Sequence, residues 1–350
     1  RAGIQEDSII VVVAGGTHPV ATKDEIERKL GGAVPATIKV IAHNCRGDLS
    51  YLGQSSRGTP LYVNQAVIAC DLKIGVGCIY PHPAAGFSGG SKIIMPGVCG
   101  LETTRIMHDY VQGAERRGGS IETALRQEMD EVAAIVGLDL LVNVVLNQER
   151  QIAGLFVGDK TLAFQQGVAF AAELYGVNPV AEADIVVADM YPFDLNLQFA
   201  HDRGLWPLWQ AGAKASKVVI AACPLGRGNH DLYPVSNPLW ARFLRRLKNF
   251  QRRDFRQPLA KLKIMSELWR QKQLELMVLS PGITSEALKS VFPKATLYRS
   301  WPELLSQLES RHPDLPVKVA VHKCAPLQMP VAKQSSVAAQ SFPSKQWAKI

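Results

Sequence analysis

Short runs of β-branched and aliphatic residues recur along this chain, each followed by a segment of helical periodicity, and that alternation limits the folds open to it. Residues 9–13 read Ile-Ile-Val-Val-Val and stop at Gly15-Gly16, which reads as a buried strand ended by a turn. Residues 38–42 and 72–76 give two more strands, the second after an apolar helical stretch around Val67. Thr22, with Glu25 three positions on, has the spacing of a capping box and predicts a helix start. Ile121, Leu125, Met129, Val132, Ala133 and Val136 recur at three and four residues and predict an amphipathic helix within 118–137. Residues 143–146 and 152–157 predict a strand pair across the polar turn 147–150, and residues 185–187, 218–220 and 277–279 start a second α/β run. Strands that alternate with helices need crossover connections and build mostly parallel sheets.

At 350 residues the chain is long for one domain. The reading is α/β with two domains, each a mostly parallel or mixed sheet flanked by helices: an N-terminal domain over 1–178, a C-terminal α/β domain over 181–312, and a return segment with a loose tail over 313–350. Residues 176–182 are the expected hinge, and 325–350, rich in Pro, Gln, Ser and Ala, the expected tail. The net charge of +8 describes one segment, since eleven Lys and Arg against Asp254 and Glu267 give residues 242–272 a charge of +9. Phe243, Leu244, Leu247 and Phe250 interleave there at helical spacing, so the segment reads as a solvated face and not a nucleic-acid surface. No apolar run is long enough to cross a membrane. The six cysteines lack paired spacing, which fits free thiols in a reducing, cytoplasmic setting. The first residue is Arg1 with no basic, apolar and small-residue leader after it, and we expect a longer protein whose front is missing from this sequence.

Chemistry-bearing residues concentrate in three places. His18 follows a strand and the Gly15-Gly16 turn, at a strand C-terminus where α/β proteins place ligands; alone, a turn histidine is more often only solvated. The second place is Tyr80-Pro81-His82-Pro83-Ala84-Ala85-Gly86-Phe87-Ser88-Gly89-Gly90-Ser91-Lys92. Gly86, Ser88, Gly89 and Gly90 allow a backbone to approach a ligand and offer amides to an anion. Lys92 adds a cation or an amine nucleophile. The loop is not a Walker A motif, because Ser91 precedes the lysine. His108, in Arg105-Ile106-Met107-His108-Asp109, lies on an expected helix, where an imidazole can ligate a metal but more often only packs.

Taken together, His18, His82, Lys92 and His108, with nine residues between His82 and Lys92 and fifteen between Lys92 and His108, resemble the nickel-dependent lactate racemase family. The resemblance extends through Ser56-Arg57-Gly58-Thr59-Pro60, Met95-Pro96-Gly97-Val98, Asn143-Val144-Val145-Leu146-Asn147 and Tyr191-Pro192-x-Asp194-x-Asn196, from about residue 8 to 320. It implies a two-domain racemase or epimerase with its active site in the interdomain cleft, inverting the C2 carbinol of a 2-hydroxy acid. The implied cofactor is a nickel-pincer nucleotide, a pyridinium-thioamide-thiocarboxylate mononucleotide carrying Ni and supplied by cofactor-synthesis enzymes. By similarity Lys92 tethers it, with Gly86, Ser88, Gly89 and Gly90 around it. His108 ligates the nickel, and His18 and His82 are the catalytic acid–base pair of a proton-coupled hydride transfer. Imidazoles suit that task because two-sided inversion needs two groups that exchange protons near neutral pH. The implied partner is a small 2-hydroxy acid, with no nucleic acid and no membrane.

Three departures qualify the resemblance. The family's Asp-x-Thr-Arg-Pro segment, whose arginine grips the substrate carboxylate, does not precede His18, and we expect residues 1–350 alone to leave the site incomplete. Phe199 and Asp202 stand where the family presents Gln and Lys, with Arg203 adjacent, and Pro19-Val20 replace the usual Arg-Pro after His18; loss of cations beside an acidic substrate changes specificity. Gly226-Arg227-Gly228-Asn229-His230 is either an ordinary turn or a further cleft segment. Two other functions stay open from residues alone: a metal-dependent hydrolase using the same histidines, and a non-catalytic member of the family.

Overall fold

In the computed structural model, which describes residues 3–111, 120–177, 183–194, 197, 217–221, 275–311, 316–330 and 341–342, the first strand and its helix form as their residues dictate. β1 (Ile10–Val13) pairs in parallel with β2 (Lys39–Ala42), with α1 (Lys23–Leu30) between them in the chain. The Thr22 hydroxyl accepts from the Glu25 amide at 3.3 Å, and the Glu25 carboxylate accepts from the Thr22 amide at 2.9 Å. Two backbone donors at the helix start are thereby satisfied reciprocally. β1 is half-buried where its apolar run suggested full burial, because β2 is its one strand neighbour among the described residues.

The next two strands carried no clear period in the sequence. β3 (Leu49–Gln54) and β4 (Pro60–Asn64) form an antiparallel hairpin with a register shift between Tyr51 and Gln54. Its tip docks on a helix: Ser55 and Thr59 donate to the Glu128 carboxylate and Ser56 donates to Glu131. The stretch around Val67 makes a single helical turn, α2 (Gln65–Ile68). β5 (Ile74–Cys78) starts two residues later than its apolar run and leads to the short pair β6 (Pro81–His82) and β7 (Gly86–Phe87).

The rest of this half is the layer that supports the loop 80–92. α3 (Leu101–Val111) and α4 (Ala124–Val136) follow it in the chain, then β8 (Leu140–Leu146), β9 (Ile152–Gly158) and α5 (Leu162–Tyr175). β8 lies between β5, parallel, and β9, antiparallel, and the polar turn joins β8 to β9 as expected. Leu125, Met129, Val132, Ala133 and Val136 of α4 are buried with Phe87, Leu141, Phe164 and Val168 in one core. The opposite face of this sheet leaves Ile74, Val76, Leu155 and Val157 exposed.

The second α/β run gives a six-stranded sheet. β10 (Gly176–Val177) precedes it, followed by β11 (Ile185–Asp189), β12 (Lys217–Ala221), β13 (Glu275–Leu279), α6 (Ser285–Val291), β14 (Thr296–Tyr298), α7 (Trp301–Arg311), β15 (Val317–His322), β16 (Met329–Pro330) and β17 (Ser341–Phe342). The sheet order is β14-β13-β12-β11-β15-β17, with every pair parallel except β15–β17. The expected loose tail needs correction at its start. Residues 325–327 form a buried 3₁₀ turn, Leu327 packs into the first core, and β16 pairs with β10. Leu327 and Met329 are apolar, and burying them ties the chain end back to the N-terminal half. The basic segment 242–272, residues 178–182 of the expected hinge, Phe199, Asp202, Arg203 and 226–230 lie outside the described residues.

Candidate functional site

The hairpin that carries His82 is built from its backbone. Pro81 pairs with Phe87 and His82 with Gly86, leaving Pro83, Ala84 and Ala85 at the tip. His82 Nδ1 accepts from the amides of Ala84 at 3.2 Å and Ala85 at 3.1 Å. A ring nitrogen that accepts from two backbone N–H groups carries no proton, so the neutral imidazole holds its proton on Nε2. Gly86 is buried with φ +70, and a Cβ there would overlap the Ser120 carbonyl; a Cβ on Gly90 would lie 2.8 Å from the Phe164 ring. These two glycines therefore answer to protein packing, and their backbones are turned toward Ser120 and Phe164. Ser88 is buried and hydrogen-bonded to the Cys78 carbonyl at 3.4 Å.

Beneath the hairpin sits a residue that the sequence reading passed over. Arg126 of α4 is 2% exposed, and its guanidinium donates to the carbonyls of Gly89 at 3.1 Å, Ala85 at 3.2 Å and Phe87. Its Cζ lies 4.5 Å from the centroid of the Phe164 ring, a cation–π contact. Burial pulls its pKa down to about 10, against the opposing charge of Asp130. Among the described residues no carboxylate is within ion-pair distance of Arg126; the one ion pair there is Lys23–Glu27 on the surface. The available signal was its position: Arg126 stands beside Leu125 and three residues before Met129, inside the apolar stripe of its helix.

Lys92 lies in the 3₁₀ turn Gly90–Ile93, half-buried. The turn packs on β5 because Gly75 there has no side chain; a Cβ would come 2.9 Å from Ile93. Two neighbours retain unmet hydrogen-bonding capacity. Ser91 Oγ and both amide atoms of Asn143 are buried without a partner, and the Asn143 oxygen lies against Gly89. Buried polar atoms are ordinarily hydrogen-bonded, so these three atoms beside the loop are open to a partner from water or a ligand, as are Arg126 Nε and Glu128 Oε2 elsewhere in the same half.

Backbone contacts bring the first histidine segment to this loop. Gly16 donates to the Gly97 carbonyl at 2.8 Å, and Gly97 donates to the Lys92 carbonyl at 3.2 Å, so the His18 turn is joined through one residue to the Lys92 turn. His18 itself is exposed. His108 is on α3, whose first residue, Leu101, donates to the Cys45 carbonyl while the preceding Gly100 donates to that of Tyr62; the His108 side chain lies outside the described residues. Among the described residues no three His, Cys, Asp or Glu side chains form a metal-holding group. Tyr80, at the head of the hairpin, packs against Phe193 with centroids 5.0 Å apart and the rings tilted by 51°. Phe193 follows β11, where the neighbouring strands β12 and β15 depart to opposite sides, the place where open α/β sheets bind ligands. Burial, and then the like charge of Asp189, raise the Asp194 carboxyl pKa.

Other residues of the sequence motifs have structural work. The 56–60 segment is the docking tip described above. His43, without a functional reading from sequence, is buried, receives a hydrogen bond from Asn64 at Nδ1 and donates from Nε2 to the Cys99 carbonyl at 3.0 Å. Burial lowers its pKa, opposed by the Cys99 hydrogen bond.

Comparison with known proteins adds ancestry to this geometry. Residues 1–119 match the family described as the lactate racemase N-terminal domain. The chain is 31% identical over 250 residues to a lactate racemase of Lactiplantibacillus plantarum, covering 68% of this chain and 58% of that protein. It is 28% identical over 234 residues to a lactate racemase of Thermoanaerobacterium thermosaccharolyticum, covering 65% of this chain and 54% of that protein. The chain thus spans somewhat over half the length of these curated relatives. The solved lactate racemase apoprotein from T. thermosaccharolyticum shares the fold with a TM-score of 0.68 at 23% identity, over 93% of this chain and 79% of that one. A Thermotoga maritima protein does so with a TM-score of 0.65 at 16% identity, over 93% of this chain and 86% of that one.

Proposed function

On the premise that this chain is a relative of the lactate racemases, with their N-terminal domain in residues 1–119, we propose that it belongs to an enzyme that inverts the C2 carbinol of a small 2-hydroxy acid. The observation that carries the reading is the hairpin and turn of residues 80–92. One buried scaffold there holds His82 by its backbone, presents Lys92 half-buried, and leaves Ser91 and Asn143 with unmet hydrogen bonds beside them. That donor set fits a polar, covalently tethered cofactor. The nickel-pincer nucleotide of the resemblance, when bound, supplies a site that takes up and returns a hydride. Lys92 Nζ is the amine that would hold it, the His108 imidazole would ligate its nickel, and the orphaned Ser91 hydroxyl and Asn143 amide would meet its polar groups. The amides of residues 86–90 would assist through their backbone.

This chain's own part in the reaction is to bind, orient and move a proton. His18 takes the hydroxyl proton on one side of the carbinol, becoming imidazolium, and gives that proton back to the oxygen when the carbinol re-forms. His82, with its proton on Nε2, faces the other side as hydrogen-bond donor to the same oxygen. The Tyr80–Phe193 pair closes the loop against the second half of the chain, which supports a cleft between the two domains as the place of reaction. Cofactor-synthesis enzymes are the implied protein partners. The described cysteines are free, which supports a cytoplasmic setting.

The test is expression of the full chain with cofactor-synthesis enzymes, followed by intact mass, nickel content and the optical rotation of a 2-hydroxy acid. A nucleotide-sized mass adduct lost in Lys92→Ala, with nickel lost in His108→Ala, is expected. Bound metal without an adduct would favour the hydrolase, and neither would favour a non-catalytic protein.

A further inference from the structure

Arg126 is expensive to keep. A guanidinium taken out of water without a carboxylate partner loses hydration that carbonyl oxygens restore only in part, and an apolar residue of similar length would fill the space under the hairpin at less cost. What the arginine adds is a fork of donors that reaches three carbonyls of one loop at once. Those carbonyls belong to Ala85, Phe87 and Gly89, and Phe164 backs the guanidinium plane.

Ala85 is the link. Its carbonyl is held by Arg126 and its amide donates to His82 Nδ1. It is fully buried, and the next residue, Gly86, has no room for a Cβ. The tip of the hairpin thus has no freedom to withdraw its amide while the arginine grips its carbonyl.

We propose that Arg126 is a positioning residue that, through Ala85, locks His82 in the tautomer with its proton on Nε2. In the unloaded chain His82 is then a hydrogen-bond donor at Nε2 and not a base. For Nε2 to accept a proton, the ring's own proton must first pass to Nδ1, and the Ala84 and Ala85 amides already point there. The two faces of the carbinol therefore meet unlike partners at the first proton step, and His82 takes its turn as acceptor only when the hairpin amides release it. The catalytic meaning rests on the function proposed above; the tautomer and its dependence on Arg126 do not.

The experiment is long-range proton–nitrogen correlation NMR of the full chain labelled with ¹⁵N-histidine, without cofactor, with His82 assigned by the peak lost in His82→Gln. The wild type is expected to show two well-separated ring nitrogens, Nδ1 unprotonated and Nε2 protonated. Arg126→Met should collapse that separation toward the tautomer average, and Arg126→Lys, whose ammonium cannot span three carbonyls, should lie between. A wild-type ring with its proton on Nδ1, or an averaged one, overturns the lock. A wild-type pattern retained in both variants overturns the role of Arg126. If Arg126→Met does not fold by near-ultraviolet circular dichroism, Arg126→Lys decides: a shift supports the proposal and an unchanged pattern overturns it. Because no turnover is read, absence of a Lys92 adduct would defeat the functional reading and leave this result standing.

Discussion

Replacing Gly86 by alanine tests whether the hairpin owes its glycine to packing inside the protein. Two terms apply. Gly86 has φ +70, and a residue with a Cβ costs roughly 1–2 kcal/mol in the left-handed region. The added methyl would also overlap the Ser120 carbonyl oxygen and come 2.6 Å from its carbon. That group is backbone, so making room means shifting the chain ahead of α4 and not rotating a side chain, and overpacking adds roughly 1–3 kcal/mol. A loss of about 3 kcal/mol is a large part of the ~5–15 kcal/mol that holds a domain folded. It corresponds to a fall in Tm of roughly 6–12 °C at ~2–4 °C per kcal/mol. Gly31→Ala is the reference, since Gly31 has φ +60 with nothing within 4 Å of its Cβ position; it should lose only the backbone term. Urea denaturation of both variants, followed by far-ultraviolet circular dichroism because all six tryptophans lie after residue 200, measures the difference. If Gly86→Ala unfolds at the same midpoint as Gly31→Ala, the packing argument is wrong and the glycine is there for something other than the protein's own backbone.

Two further outcomes follow from buried polar groups. Burial lowers the His43 pKa below its ordinary 6.5, so the unfolded chain binds the proton more readily than the folded one. The stability that neutral His43 contributes is fully present above pH about 6.5 and declines as pH falls below it. The urea midpoint should drop between about pH 7.5 and 5.5, and His43→Gln should flatten that drop; an equal slope in the variant would remove His43 as the cause. Glu128 is fully buried and takes the hydroxyls of Ser55 and Thr59, so Glu128→Ala strands two donors and opens a cavity, at about 3 kcal/mol. Glu131→Ala, which frees the more exposed Ser56, should cost about 1 kcal/mol, and equal losses by chemical denaturation would contradict this account of the hairpin tip.

Much of the molecule could be read without coordinates. The capping box at Thr22, the stripe on α4, the strand pair around 147–150 and the parallel strands of the second sheet are each set by near neighbours in sequence. Periodicity and capping register those neighbours directly. The β3–β4 hairpin was not legible because Leu52, Gly53 and Gln54 break the alternation begun by Leu49-Ser50-Tyr51, and its partners on α4 lie about 70 residues away. The packed segment at 325–327 was hidden by composition: proline and glutamine around Leu327 look like a tail until the first core supplies a place for the leucine.

The candidate site divides in the same way. The kinds of residue it holds, His18, His82, Lys92 and His108 with a glycine-rich loop between two of them, are a property of the sequence, because spacing along the chain is enough to state them. Which face of α4 lies under that loop is not: the place of Arg126 inside the apolar stripe marks it as buried without saying what it meets. Only the tertiary structure puts its guanidinium against three carbonyls some forty residues earlier and turns the loop's glycines toward Ser120 and Phe164. The tautomer of His82 depends on which amides the folded hairpin aims at its ring. Sequence carries the chemical groups; the fold decides what each is bonded to, and that sets whether an imidazole gives or accepts a proton.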